Sequence, residues 1–133
     1  MFSKLPIDPV FGIIRHVLSS IRQQAPIGWG SHDWRQFTKA RLDNNPQYAL
    51  ILSWGILEKE AQRSFSGLPK IEGKNPAIVK NSKRVLNLSN EKHGSLQNAM
   101  RKRNRAAHGE KVHVDWSDVD IVIDVAYRLH QLR

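Results

Sequence analysis

The residues with the most chemistry in this sequence stand close together. Arg103 is followed directly by Asn104, and His108 lies five positions beyond the arginine, in a run that also holds Arg101, Lys102 and Arg105. An imidazole moves protons near neutral pH, and a guanidinium grips phosphate oxygens with paired donors. The combination suits cleavage of RNA through its own 2′-hydroxyl. That reaction needs a base for the hydroxyl proton, an acid for the departing 5′-oxygen, and positive charge for the pentavalent phosphate between them. A single His108 does not easily serve both faces of the phosphate. Two copies across a twofold axis would divide the base and acid roles and bring two Arg103 side chains to the phosphate oxygens. The plainer alternative is that Asn104 and His108 cap a helix end while Arg103 makes an internal ion pair.

The element that must position these residues is a helix starting near Ser89 or Asn90, or after Gly94 at Ser95, where a short polar side chain satisfies the first free amides. Gly109 would stop it, because glycine tolerates the left-handed conformation just past a terminus. On this helix Leu96, Ala99, Met100, Arg103 and Ala107 fall at helical spacing, so Arg103 sits on an otherwise apolar stripe. A guanidinium there needs a partner or a solvated cleft. Arg101, Lys102 and Arg105 fall mainly off the stripe. Asn104 and His108 can touch, being four apart, whereas Arg103 and His108 are separated by roughly 140° around an ideal helix.

Charge is concentrated around the motif. Residues 70 to 111 hold eleven Lys or Arg against three Glu, a balance of +8 out of the chain's +9, while residues 112 to 133 hold two Arg against four Asp. Such a basic region is the footprint expected for a polyanion, most simply a nucleic acid, with Lys80, Lys83, Arg84, Arg101, Lys102 and Arg105 as candidate phosphate contacts. Its alternative is a solvated face that keeps the protein in solution. Zero cysteines exclude disulfides, thiolate catalysis and Cys-based zinc sites. The histidines, at 16, 32, 93, 108, 113 and 130, make no His-x-x-x-His pair, and neither a metal nor a cofactor is expected. No long apolar run and no secretory pattern is seen, so a soluble, cytoplasmic protein away from membranes is expected.

Helices are expected throughout. Asp8-Pro9, Asn45-Pro46 and Asn75-Pro76 repeat one device, an Asx side chain at the cap followed by a proline whose missing amide costs nothing in the first turn. The first marks an amphipathic helix over about 9–24. A loop at Gly28-Trp29-Gly30 leads to a short helix carrying Trp34, Phe37 and Leu42. Trp29 and Trp34 could stack on bases, but packing is their more usual employment. The helix from Pro46 to about Phe65 is apolar nearly all round in its first half, as a central helix would be. Glu58 shares a side of it with Trp54 and could pair with a base of the motif helix, though a plain surface carboxylate is the default. A polar connector, 67 to 74, precedes a helix from Asn75 to about Leu86 with Ile78, Ser82, Val85 and Leu86 inward. After the motif, 111 to 115 alternates like a strand without a partner strand and reads as an extended connector. Asp115 with Asp118, or Ser117 with Asp120, starts a last helix whose inner stripe is Val122, Val125, Ala126, Leu129 and Leu132. His113 and His130 have no partner evident from spacing. The expected fold is all-α, a single antiparallel bundle of about five helices in one domain over 1–133.

The segment Arg103-Asn104-Arg105-Ala106-Ala107-His108 resembles the signature of the HEPN superfamily of helical domains, an Arg followed after four to six residues by His, often with a polar residue directly after the Arg. Arg101 to His108 fits the longer spacing, but Asn104 favours Arg103. The order of elements over roughly 45 to 132 is similar too: a long apolar helix with Trp54 and Glu58, a basic helix ending in the motif, and a closing helix. The resemblance implies a homodimer whose two motifs meet in one cleft. It implies a metal-independent endoribonuclease of the kind found in toxin-antitoxin and defence systems, with Arg103, Asn104 and His108 catalytic, RNA as substrate, and an antitoxin as a candidate protein partner. It also covers members that have lost catalysis and bind only nucleotides or partners. Two rivals therefore stand beside the nuclease: a silent basic module that binds nucleic acid, and a helical protein-interaction module.

Overall fold

The computed structural model describes residues 31–132, so the expected helix over 9–24 with its Asp8-Pro9 cap, and the Trp29 loop, lie outside the described residues. Five helices and no strand occur among them: α1 (Ser31–Leu42), α2 (Pro46–Ser64), α3 (Lys74–Leu86), α4 (Asn90–Ala107) and α5 (Trp116–Gln131). This is the all-helical bundle that the periodicity predicts. None of the helices among the described residues is long and apolar enough to cross a membrane.

Three helix starts follow the expected chemistry. Asn45 caps α2, its side chain accepting the amide of Tyr48 at 3.2 Å with Pro46 next in the chain. Ser89 caps α4 by accepting the Lys92 amide at 3.1 Å, which settles the start at the earlier of the two positions and leaves Gly94 inside the helix. At α5 the Asp118 carboxylate accepts the Asp115 amide at 2.9 Å. The fourth start departs from expectation. Helix α3 begins at Lys74, after Gly73 in the left-handed region at φ 75°, and Asn75 lies inside the first turn with its side chain free for a tertiary contact.

The core is built on α2 against α5, the most extensive helix pair, with α1 and α4 packed on its flanks and α3 against α4. From α2 come Leu50, Trp54 and Leu57, and from α5 Val122, Ile123, Val125, Ala126 and Leu129, all fully buried. Each buried Val, Leu or Ile among them contributes roughly 1.5–3 kcal/mol by leaving water. Helix α5 is more than a closing amphipathic helix: Val119, Ile121 and Ile123 widen its buried surface beyond the expected stripe, while Leu132 is exposed because the helix ends before it. Trp34 and Phe37 of α1 are buried and stack with centroids 5.4 Å apart, so Trp34 is a core residue and Leu42, at the helix end, is exposed. On α3 the inward residues are Ile78, Val79 and Ser82, and Val85 faces outward.

Buried charges are met in pairs. Arg41, almost fully buried, reaches Asp120 at 3.0 Å and lies over the Trp116 ring at 4.9 Å, fastening α1 to α5. Glu60, buried in α2, is met by His130 at 3.2 Å, and exposed His113 meets Asp115 at 2.8 Å, so both histidines have partners that spacing did not reveal.

Candidate functional site

Helix α4 delivers the motif. Its buried line is Leu96, Ala99 and Ala106, with Met100 packed beside it; Ala106, and not Ala107, completes the stripe. Arg103 stands four residues after Ala99 and three before Ala106, so it is aimed between them toward α2 and α3 with its side chain one-quarter exposed (25%). The helix then closes in a Schellman arrangement. Glu110 N–H donates to the Arg105 carbonyl at 3.1 Å, and Gly109 N–H donates to that of Ala106 at 3.0 Å. Gly109 takes the left-handed conformation, φ 78°, that the turn requires and that side chains resist. His108, the residue before it, is the C-cap and is exposed. No described residue hydrogen-bonds or ion-pairs with its imidazole, which leaves both ring nitrogens open to solvent or a ligand.

Arg103 is held in a polar chain across three helices. The Trp54 indole donates to Asn75 Oδ1 at 3.0 Å, and the Asn75 amide donates to Asn104 Oδ1 at 3.0 Å. The same Asn104 oxygen accepts Arg103 Nη1 at 3.3 Å. Glu58 completes the frame, with Oε1 3.9 Å from Arg103 Nη2 and Oε2 3.0 Å from Lys74 Nζ. Glu58 thus takes the ion-pairing role open to it and not that of a plain surface charge. Two cations against one carboxylate leave the cluster net positive. Arg103 also retains donor capacity, because its guanidinium carries five N–H donors and hydrogen-bonds Asn104 through Nη1, while its Nε is buried without a hydrogen-bond partner. Such a donor costs free energy unless a ligand or water reaches it.

Asn75, Trp54 and Lys74 were not candidates from the sequence. Trp54 and Glu58, four apart on α2, were the signal nearest to finding the site. The Asn104 side chain is joined to Asn75 and Arg103 and makes no hydrogen bond with the His108 ring, so two side chains that are neighbours by spacing work apart. Within one chain, then, the guanidinium is framed on the α2 and α3 side and the imidazole stands free at the helix end.

The candidate phosphate contacts fall into two groups. Lys80, Arg84 and Arg101 are exposed, and Lys83 is half-buried; none makes an ion pair with a described residue. Arg84 and Lys83 touch only the side-chain oxygens of Asn81 at 3.2 Å and Asn90 at 3.4 Å. The other two are engaged. Lys102 binds Asp118 at 2.8 Å, fastening α4 to the start of α5, and Arg105 lies 3.7 Å from Glu110 across the helix stop. No group of three or more His, Cys, Asp or Glu among the described residues could hold a metal ion.

No family model matches this chain, and no curated protein or solved structure matches it either.

Proposed function

We propose that this protein is a metal-independent endoribonuclease of HEPN type, acting as a homodimer in which two Arg103 and two His108 side chains face one cleft. The observation that carries the reading is the contrast within the motif: a guanidinium fixed by Asn104 and Glu58 with donors to spare, one turn from an exposed imidazole with no partner. Arg103 holds the scissile phosphate. One His108 takes the 2′-hydroxyl proton as that oxygen attacks phosphorus; the P–O5′ bond breaks, and the other His108 protonates the departing oxygen. The products are a 2′,3′-cyclic phosphate and a free 5′-hydroxyl. Asn104 positions Arg103 through its side-chain oxygen. A role as a toxin or defence ribonuclease, restrained by an antitoxin, belongs to the same reading.

The test is incubation of the purified protein with mixed cellular RNA in EDTA, with end-group analysis of the products. Cleavage should persist without metal and spare DNA. His108→Ala should lose on the order of 10² to 10⁴ in rate, the usual contribution of a general acid or base. Arg103→Ala should also lose rate, and Arg103→Lys should not restore it fully, since lysine lacks the planar fork. If Arg101→Ala abolishes cleavage and Arg103→Ala does not, the longer spacing is the motif. A monomer by light scattering, or folded His108→Ala and Arg103→Ala variants at wild-type rate, would overturn the reading. A second reading, a silent module that binds nucleic acid or nucleotide, is favoured by the internal engagement of Asn104 and Arg103, and predicts salt-sensitive binding with no product.

A further inference from the structure

Beside the motif, α3 packs against α4 but leaves a cleft between them. They touch through side-chain amides at one end, Asn75 to Asn104 at 3.0 Å, and through Lys83 and Asn90 at 3.4 Å at the other. Between these bridges lies a cleft of about 390 Å³. That size falls in the range of small-ligand sites, roughly 300–1,000 Å³. Its chemistry is divided. Val79, Met100 and Pro76 give an apolar wall; Gln97 and His93 add groups that both donate and accept hydrogen bonds; Lys80 and Lys83 supply positive charge. No carboxylate lines it, and neither lysine is paired with one.

We propose that this cleft holds one nucleotide, its base against Val79 and Met100 with its edge read by Gln97 and His93, and its phosphate held by Lys80 and Lys83. A flat, partly polar ring on an anionic tail is the ligand that matches an apolar wall, an amide and two unneutralised ammonium groups together. A free metal cation is disfavoured by the same lysines, and a purely apolar ligand would leave them unused. Placement agrees with this. Met100 stands one turn, about 6 Å, before Asn104 on α4. A strand with one nucleotide in the cleft therefore runs on toward Arg103. As a subsite for RNA, the inference rests on the reading of the motif as a nucleic-acid site; as a nucleotide site, it does not need turnover.

The experiment is NMR titration of the full-length, isotope-labelled protein with uridine 5′-monophosphate and adenosine 5′-monophosphate, following the Gln97 side-chain amide, the His93 ring and the Met100 methyl. Those signals should shift saturably. Lys80→Gln/Lys83→Gln should weaken binding about tenfold or more, because both charge-assisted hydrogen bonds to the phosphate are removed, with an unchanged circular dichroism spectrum. A short strand made uncleavable by 2′-deoxy substitution is then added. Displacement of the mononucleotide identifies the ligand as one unit of a strand; failure to displace it identifies a free nucleotide. Both outcomes support a nucleotide site. Shifts confined to other residues, equal affinity for inorganic phosphate alone, or unchanged binding by the double variant overturn it. The two proposals fail separately. Mononucleotide binding without any RNA cleavage leaves the cleft and removes the nuclease; cleavage with unaltered KM in the double variant, and no mononucleotide shifts, does the reverse.

Discussion

Where α1 and α2 meet α5, buried charges are answered by opposite charges: Arg41 by Asp120 and Glu60 by His130. On α3 and α4, Lys80, Lys83, Arg84, Lys92 and Arg101 meet no carboxylate among the described residues. The two regions differ in what their charges can do. A buried pair gains little net stability over an apolar replacement, but removing one partner strands the other, so such pairs fix which helix lies against which. Unpaired cations at a surface add nothing to packing and repel one another. Their sum is a field available to an anion, strongest where a low-dielectric wall such as the α3/α4 cleft stands behind it. Arg103, Arg105 and Lys102 on α4 do meet carboxylates, and the pairing of Lys102 with Asp118 across to α5 assigns it to the framework.

If that division is right, the largest stability effects belong to the α2/α5 side. Leu129→Ala, at a fully buried position, should cost about 2–5 kcal/mol, the lost transfer energy plus the cavity left behind. The loss would be read from the urea midpoint at unchanged slope. A cost under about 1 kcal/mol would mean that the helix pair can collapse around the gap, which its close-packed neighbours argue against.

The boundary between the regions is the Trp54, Asn75, Asn104 chain, and it should respond on both sides. Asn75→Ala removes the acceptor of the Trp54 indole and the donor to Asn104 in one step. A cost of about 1–3 kcal/mol is expected, the penalty for leaving buried polar groups unmatched. The same variant should loosen Arg103 and lower any motif-dependent activity. A double-mutant cycle of Asn75→Ala with Asn104→Ala should give a coupling above about 0.5 kcal/mol. Additive effects would sever Asn75 from the motif and reduce the chain to coincidental neighbours.

Local rules carried the sequence reading a long way. The Asn45, Ser89 and Asp115 starts and the Gly109 stop rest on groups within a few residues of one another, and all are found in place. The failures share a different cause. Asn75-Pro76 has the same composition as Asn45-Pro46, yet its amide is bid for by Trp54, 21 positions earlier, and Asn104, 29 later. No spacing rule sees such partners. Glu60 with His130 was out of reach for the same reason, whereas Glu58 was legible as a possible partner for a basic residue of the motif helix because it shares a side of α2 with Trp54. The shift from Ala107 to Ala106 on the buried line, and from Val85 to Val79, reflects which neighbours a helix meets, whereas the period itself was legible. Of the site, Arg103, Asn104 and His108 could be read as a pattern and Glu58 as a possible ion-pair partner; the contacts of Trp54, Lys74 and Asn75 that complete the frame could not.

The smallest stability effect, and the sharpest test of the comparison, lies on the basic side. Lys80→Ala, Lys83→Ala and Arg84→Ala combined should leave the urea midpoint nearly unchanged, because surface substitutions away from packing and paired charges usually stay within about 0.5 kcal/mol each. Relief of mutual repulsion works in the stabilising direction and offsets part of any loss. Binding should behave in the opposite way. Each cation that meets a phosphate releases condensed counterions, so affinity for single-stranded RNA falls with salt at a logarithmic slope of roughly −0.7 per phosphate neutralised. If all three side chains meet phosphates, the triple variant should bind more weakly at low salt and show a slope shallower by about 2. Fluorescence anisotropy across a salt series reads both quantities at once. An unchanged slope with lost stability would make these lysines and the arginine part of the framework, as Lys102 is, and the contrast between the two sides would disappear. An unchanged slope with unchanged stability would move the polyanion to Arg101 and the helix end.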